Sequence, residues 1–371
     1  MRCYYMSKLI NKGGFGCVYR PGITCSGGVD EDVRYVTKLQ AANADTDREI
    51  VISDIIKEIE NYPLYFAPVT SSCKIDVRKI SGPLLKDCDI VKDTVVNYYL
   101  MRIPYVDKKN FFDFLTQNQN KVFALATLIE TLKYLLSSIH KLITSDVVHY
   151  DLKGENIVYR QALYIPVIID FGISLPIKDV KLKNLSTYFY KFAPDYYVWC
   201  LEIHFLSYLA NEANVLTAES VGDVCRQFVD GNKVLASFSP AFRESYYQGS
   251  VGYFGRYADK PRAEVVGKLL KFWRTWDIYS FGILSLKVMS YMFEDGYPRN
   301  KFLMSFVLMG MYNIHYDPSR RNSISDNISF IDKLYYKEDD RSVLEALVRD
   351  VSYTPTNASK LITQDAMRVP A

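Results

Sequence analysis

Several kinds of protein are excluded by what this chain lacks. Its seven cysteines and four histidines include no C-x-x-C pair and no clustered histidines, so the common zinc-ligand and redox spacings are missing. Cys3, Cys17, Cys25, Cys73, Cys88, Cys200 and Cys225 are odd in number and scattered, a usage expected of a reduced chain in the cytoplasm. No stretch reaches the ~18 uninterrupted apolar residues of a membrane span, and the opening MRCYYMSKLINKGG has no sustained apolar run of a secretion signal. A chain without a membrane span is therefore expected. Charge of one sign is not in excess either. Lysine and arginine number 45 against 42 aspartates and glutamates, which gives no reason to expect a nucleic-acid partner. Internal repeats and low-complexity segments are also absent.

What is present is a globular composition, 49% hydrophobic over 371 residues, long enough for one large two-lobed unit or two medium domains. The 30 tyrosines are scattered through apolar runs and read as core or half-buried aromatics. Over the first hundred residues, YYMSKLI, CVYR, RYVTKL and VVNYYLMRI read as strands broken by Gly and Pro turns. One helical stretch, from about Asp47 to Asn61, places Ile52, Ile55, Ile56 and Ile59 at helical spacing. After Pro104 the periodicity becomes helical, beginning with FFDFLTQNQNKVFALATLIETLKYLLSSIHKLI. The break at Arg102 to Tyr105 is thus a candidate hinge between an N-terminal part, 1–103, and a C-terminal part, 104–371.

Four local patterns carry chemistry. Gly13, Gly14 and Gly16 lie in INKGGFGCVY between two strand-like runs, and glycine lets a turn aim backbone N–H groups at phosphate oxygens. Lys38 closes the strand YVTK, 22 residues past Gly16. Facing inward, it could hold the phosphates of a nucleotide; facing outward, it would be a solvated strand lysine. A carboxylate on the neighbouring helix would fix it, with Glu49, Glu58 and Glu60 as candidates. At about 100° per residue Glu49 and Glu58 point in opposite directions, and Glu49 lies nearer the isoleucine stripe. Next comes HYDLKGENIV at 149–158, which crowds Asp151, Lys153, Glu155 and Asn156 beside an aliphatic core, where charges require partners or ions. Last, IIDFG ends an aliphatic strand with Asp170, 14 residues after Asn156. Asn156 and Asp170 offer the few oxygen ligands that Mg2+ prefers.

Taken in order, glycine loop, lysine strand, H-x-D-L-K-x-x-N and D-F-G resemble the protein kinases over about Ile10 to Arg321. The resemblance implies an α+β, bilobal fold with a small strand-rich lobe, a large helical lobe and ATP between them. It assigns Ile10, Asn11, Lys12, Gly13, Gly14, Phe15, Gly16, Cys17 and Val18 to the loop covering the nucleotide, and Lys38 with Glu49 to its anchor. It makes Asp151 the catalytic base, Lys153 the residue near the γ-phosphate typical of serine/threonine kinases, and Asn156 and Asp170 the ligands of Mg2+. Protein substrates are the implied partners. A nucleotide-binding scaffold without chemistry and a small-molecule phosphotransferase are the competing readings. Ala193-Pro194-Asp195 resembles A-P-E, Asp277 in WDIYSFG stands where the family's aspartate holds the catalytic loop, and Arg321 in DPSRR resembles the arginine that pairs with the A-P-E carboxylate.

The sequence also departs from that pattern. Asn11 replaces the first loop glycine, and Tyr150 replaces the arginine before the catalytic aspartate, a buried cation that awaits a phosphate. Activity without modification of Ser174, Ser186 or Thr187 is therefore expected. Between Asp195 and Asp277 lie 81 residues, an enlarged segment expected to carry a helical insertion at about 196–275. In it Val221, Val224, Cys225, Phe228 and Val229 line one helix face. Glu202 and Asp195 are both candidates for pairing with Arg321. The stretch YYKEDDRSVLEALVRDV reads as a final helix. FGCVYRPGITC, YVTKLQ and YFAPV resemble more narrowly the kinases of large nucleocytoplasmic DNA viruses, which implies a viral enzyme acting on viral or host proteins in host cytoplasm or in particles.

Overall fold

Strands form where β-branched and aromatic residues alternate, and the N-terminal runs do so in register. In the computed structural model, which describes residues 7–13, 16–91, 97–106, 111, 121–160, 165–292 and 301–336, they make one five-stranded antiparallel sheet. Its strands are β1 (Lys8–Lys12), β2 (Cys17–Arg20), β3 (Tyr35–Ala41), β4 (Ser71–Ile75) and β5 (Tyr98–Pro104), in the order β1-β2-β3-β5-β4. β3 is central and buried over its five middle residues, and it pairs with β5 from Tyr35↔Pro104 to Ala41↔Tyr98. The candidate hinge is therefore the end of a paired strand. Arg102 is held there by Asp30 and Asp32 and stacks over Tyr35. Helix α1 (Ala44–Lys57) starts at Asn43, whose side chain accepts from the Asp45 and Thr46 N–H groups, satisfying two donors of the first turn. It buries Glu49, Ile52 and Ile56.

The chain divides into two units. The first holds the described residues of 1–109 and Ile157–Ser174, and the second those of 110–156 and 175–365. The first thus includes the antiparallel pair β7 (Ile157–Arg160) and β8 (Ile165–Ile168), with Val158 and Val167 packed on Ala67. Its other core gathers Tyr19, Leu39, Tyr98 and Leu100 around Cys17 and Cys88.

The cysteines correct the sequence-based expectation. Cys17 is bonded to Cys88 and Cys25 to Cys73, 71 and 48 residues apart. Neither pair has a short-range spacing: in each, a strand cysteine, Cys17 of β2 or Cys73 of β4, meets one carried on a connecting segment. The expectation of reduced cysteines is therefore corrected for these four, and because disulfides persist in oxidising surroundings the two bonds count against the cytoplasmic placement. Cys200 and Cys225 are free and buried.

The second unit is largely helical. Helix α2 (Lys121–Thr144) buries Leu128, Leu132, Leu135, Leu136, Ile139 and Leu142, a stripe at helical spacing. A two-residue strand, β6 (Val147–Val148), follows and pairs with β9 (Leu175–Pro176). Then come α3 (Leu201–Asn211), α4 (Ala218–Gly231), α5 (Pro240–Phe254), α6 (Arg262–Leu270), α7 (Trp276–Met292), α8 (Lys301–Asn313) and α9 (Ile324–Tyr336). The buried residues of α4 are Val221, Val224, Cys225, Phe228 and Val229, the face expected from the sequence. At its end Gly231 packs so tightly that a Cβ would lie 2.8 Å from Asp195 Cα. Most of the expected final helix falls outside the described residues. An N-terminal antiparallel sheet followed by a mainly helical region makes the chain α+β. Among the described residues no helix is long and apolar enough to cross a membrane.

Candidate functional site

In the first unit the site is built around Lys38. Its strand position is central, paired with Val18 on one side and Met101 on the other, and the residue is 7% exposed. A buried ammonium needs carboxylate partners. Glu49 supplies one, with Oε1 and Oε2 accepting from Lys38 Nζ at 3.0 and 2.9 Å, and Asp170 Oδ1 accepts at 3.3 Å. Burial alone would lower the lysine pKa, but Asp170 and Glu49 outweigh it and hold the ammonium above its ordinary range. Asp170 reaches this place from the end of β8, 132 residues along the chain, with a backbone φ of +63°. For a residue with a Cβ that conformation is uncommon and clusters at functional sites.

The glycine turn supports the same lysine. Gly13 N–H donates to the Gly16 carbonyl at 3.0 Å. A Cβ on Gly16 would lie 3.0 Å from the Leu39 carbonyl oxygen and 3.1 Å from Lys38 Cγ and Cε, so a larger residue would press on the lysine stem. The β1–β2 register shifts between Leu9 and Asn11; the residue in the place of the first glycine sits at that irregularity. Ile10 and Val18 are half-buried strand residues. The Lys12 ammonium is engaged by Asp89 at 2.8 Å, and Cys17 turns its sulfur into the core. Gly14 and Phe15 lie outside the described residues.

In the second unit the polar cluster is centred on Asp151, 7% exposed. Oδ2 of its carboxylate accepts from Asn156 Nδ2 and pairs with Lys153 Nζ, each at 2.9 Å. Asn156 Nδ2 also donates to the Asp151 carbonyl at 2.9 Å, tying the loop to itself. From below, the buried Asp277 accepts the His149 N–H at 2.7 Å and the Tyr150 N–H at 3.1 Å, as the resemblance implied. Burial pushes the Asp277 carboxyl above its usual range, opposed by His149 and by those two N–H groups. The clamp holds Tyr150 at φ +72°, another position where a side chain is strained. The Tyr150 ring packs on Trp199 at 4.6 Å and meets Phe189 edge-on at 6.0 Å. An aromatic cluster thus fills the place of the arginine. Ser174 is buried, whereas Ser186 and Thr187 are exposed.

Two residues of this unit were not fixed by sequence reasoning. Arg321 pairs with Glu202 through two 2.7 Å bonds, settling the choice against Asp195, which is exposed. Tyr196 was missed altogether. Its hydroxyl donates to Asp151 Oδ1 and accepts from Lys153 Nζ at 3.3 Å, and no local spacing could signal a partner 45 residues away. Asn156 and Asp170 belong to different units. Among the described residues no group of three or more His, Cys, Asp or Glu side chains could hold a metal. No known protein-family profile matches the chain, and no curated protein matches it.

Proposed function

We propose that the chain is a serine/threonine protein kinase that transfers the γ-phosphoryl group of Mg-ATP to protein hydroxyls. The observation that carries this reading is the buried Lys38 held between Glu49 and Asp170. Three motif residues that the sequence names independently share one ion cluster, and a cation so fixed suits nucleotide phosphates.

On this reading Asp151 accepts the proton of the acceptor hydroxyl and Lys153 steadies the transferred group. The carboxylate is buried, and Asn156 and Lys153 fix its direction, so little reorganisation is required when the proton moves. Asp170 is about half exposed on its side chain and carries the charge that suits Mg2+. When bound, the ion would supply neutralisation of phosphate charge. The aromatic packing of Tyr150 supports activity without a phosphorylated activation segment, because no buried cation stands there for a phosphate to neutralise. The narrower resemblance supports a virus-encoded enzyme.

The test is incubation of the purified chain with radiolabelled Mg-ATP and a generic basic protein. Label on serine or threonine of the acceptor is expected. A folded chain that transfers none refutes the proposal.

A further inference from the structure

Both oxygens of the Asp151 carboxylate are occupied. Oδ2 is shared by Asn156 and Lys153, and Oδ1 is taken by the Tyr196 hydroxyl. The same hydroxyl is 3.3 Å from Lys153 Nζ. A phenol of the chain itself therefore lies where a reacting hydroxyl has to meet both groups.

The tyrosine is anchored there. Its ring meets Trp199 edge-on at 5.0 Å, and Trp199 is buried, with its indole N–H donating to the Tyr150 carbonyl at 2.7 Å. The Lys153 ammonium also stands 5.8 Å from the ring centre, within reach of a cation–π attraction. Burial, and then Asp151, raise the phenol pKa well above its ordinary value, so the hydroxyl stays protonated and keeps donating.

We propose that Tyr196 is the resident occupant of the acceptor position, and that a substrate hydroxyl reaches Asp151 only by displacing it. The inference rests on the kinase reading, which gives Asp151 its role. Displacement exchanges one hydroxyl-to-carboxylate bond for another, so what opposes it is removal of the ring from Trp199 and Lys153. Tyr196 is thus a specificity-determining residue. It favours acceptor segments that bind well enough to move it, and it shields Asp151 from water. The rival role, a brace that keeps Asp151 aimed, has the opposite sign when the hydroxyl is deleted.

Tyr196→Phe removes the hydroxyl and keeps the ring against Trp199. Water serves as the first acceptor: Mg-ATP hydrolysis without any protein substrate is expected to rise by about fivefold or more, a charge-assisted bond having been removed from the competing side. With a generic basic protein as acceptor, its KM is expected to fall while kcat and the KM for ATP change little. Tyr196→Phe showing unchanged hydrolysis and unchanged acceptor KM, or reduced transfer, overturns the proposal while leaving the kinase reading in place. Absence of hydrolysis and transfer in both proteins overturns the kinase reading and this inference with it.

Discussion

Arg321→Met should be among the most damaging single changes in the second unit. The arginine and Glu202 are 1% and 0% exposed on their side chains and share two 2.7 Å bonds. The arginine also donates to the His315 carbonyl at 2.9 Å and to Thr275 Oγ1 at 3.1 Å. Methionine fills much of the volume but leaves the Glu202 carboxylate buried without its cation, a loss of about 3–5 kcal/mol. Replacing both partners, Arg321→Met with Glu202→Leu, removes the orphaned charge and should recover all but about 1–2 kcal/mol. Urea denaturation followed by tryptophan fluorescence reads this unit alone, since the three tryptophans, Trp199, Trp273 and Trp276, all lie in it. A single-variant loss below about 1 kcal/mol, or a double variant as unstable as the single, would refute the reasoning. Asp195→Asn is the control and should change stability by no more than about 0.5 kcal/mol.

Other expectations follow from the same geometry. Alkylation of the denatured, unreduced protein should label Cys200 and Cys225 but none of Cys17, Cys25, Cys73 and Cys88; label on the latter four contradicts the pairing. Reduction should weaken the first unit, by roughly 4 kcal/mol for the longer loop if chain entropy dominates, read as earlier proteolysis of the 1–109 segment. Ser186→Ala with Thr187→Ala should leave phosphoryl transfer from phosphatase-treated protein within about twofold, whereas a hundredfold loss would restore a phosphorylation switch. Burial lowers His204 from 6.5 to about 3. Between those values the unfolded chain binds a proton that the native one does not, so this contribution is present above pH 6.5 and is lost as pH falls toward 3. Its slope approaches about 1.4 kcal/mol per pH unit. Denaturation curves of His204→Gln should be flatter than wild type between pH 7 and 5, and equal slopes would refute the assignment.

What could be read in the sequence was whatever depended on local period. Glu49 was separable from Glu58 because 100° per residue puts one on the isoleucine side and the other opposite, and Glu49 is indeed the buried partner of Lys38. The α4 face was legible for the same reason. Strand β4 was not recognised: of SSCKI only Ile75 is buried, so an edge strand showed little alternation. Long-range neighbours were hidden as well. Which cysteines meet depends on where the strands and loops carry them in space, and choosing Glu202 over Asp195 required knowing which carboxylate is buried. Tyr196 beside Asp151 is the extreme case, because nothing in DYYVW marks a hydroxyl aimed at a carboxylate 45 residues earlier.

The most direct test of the central claim is Asp151→Asn, with phosphoryl transfer and Mg-nucleotide binding measured on the same preparation. Asparagine keeps the shape and a carbonyl oxygen toward Tyr196 but cannot take the proton. Transfer to the generic basic protein should fall at least a hundredfold, about 2.7 kcal/mol of barrier, while nucleotide affinity stays within about threefold of wild type. Transfer at near the wild-type rate would contradict the account.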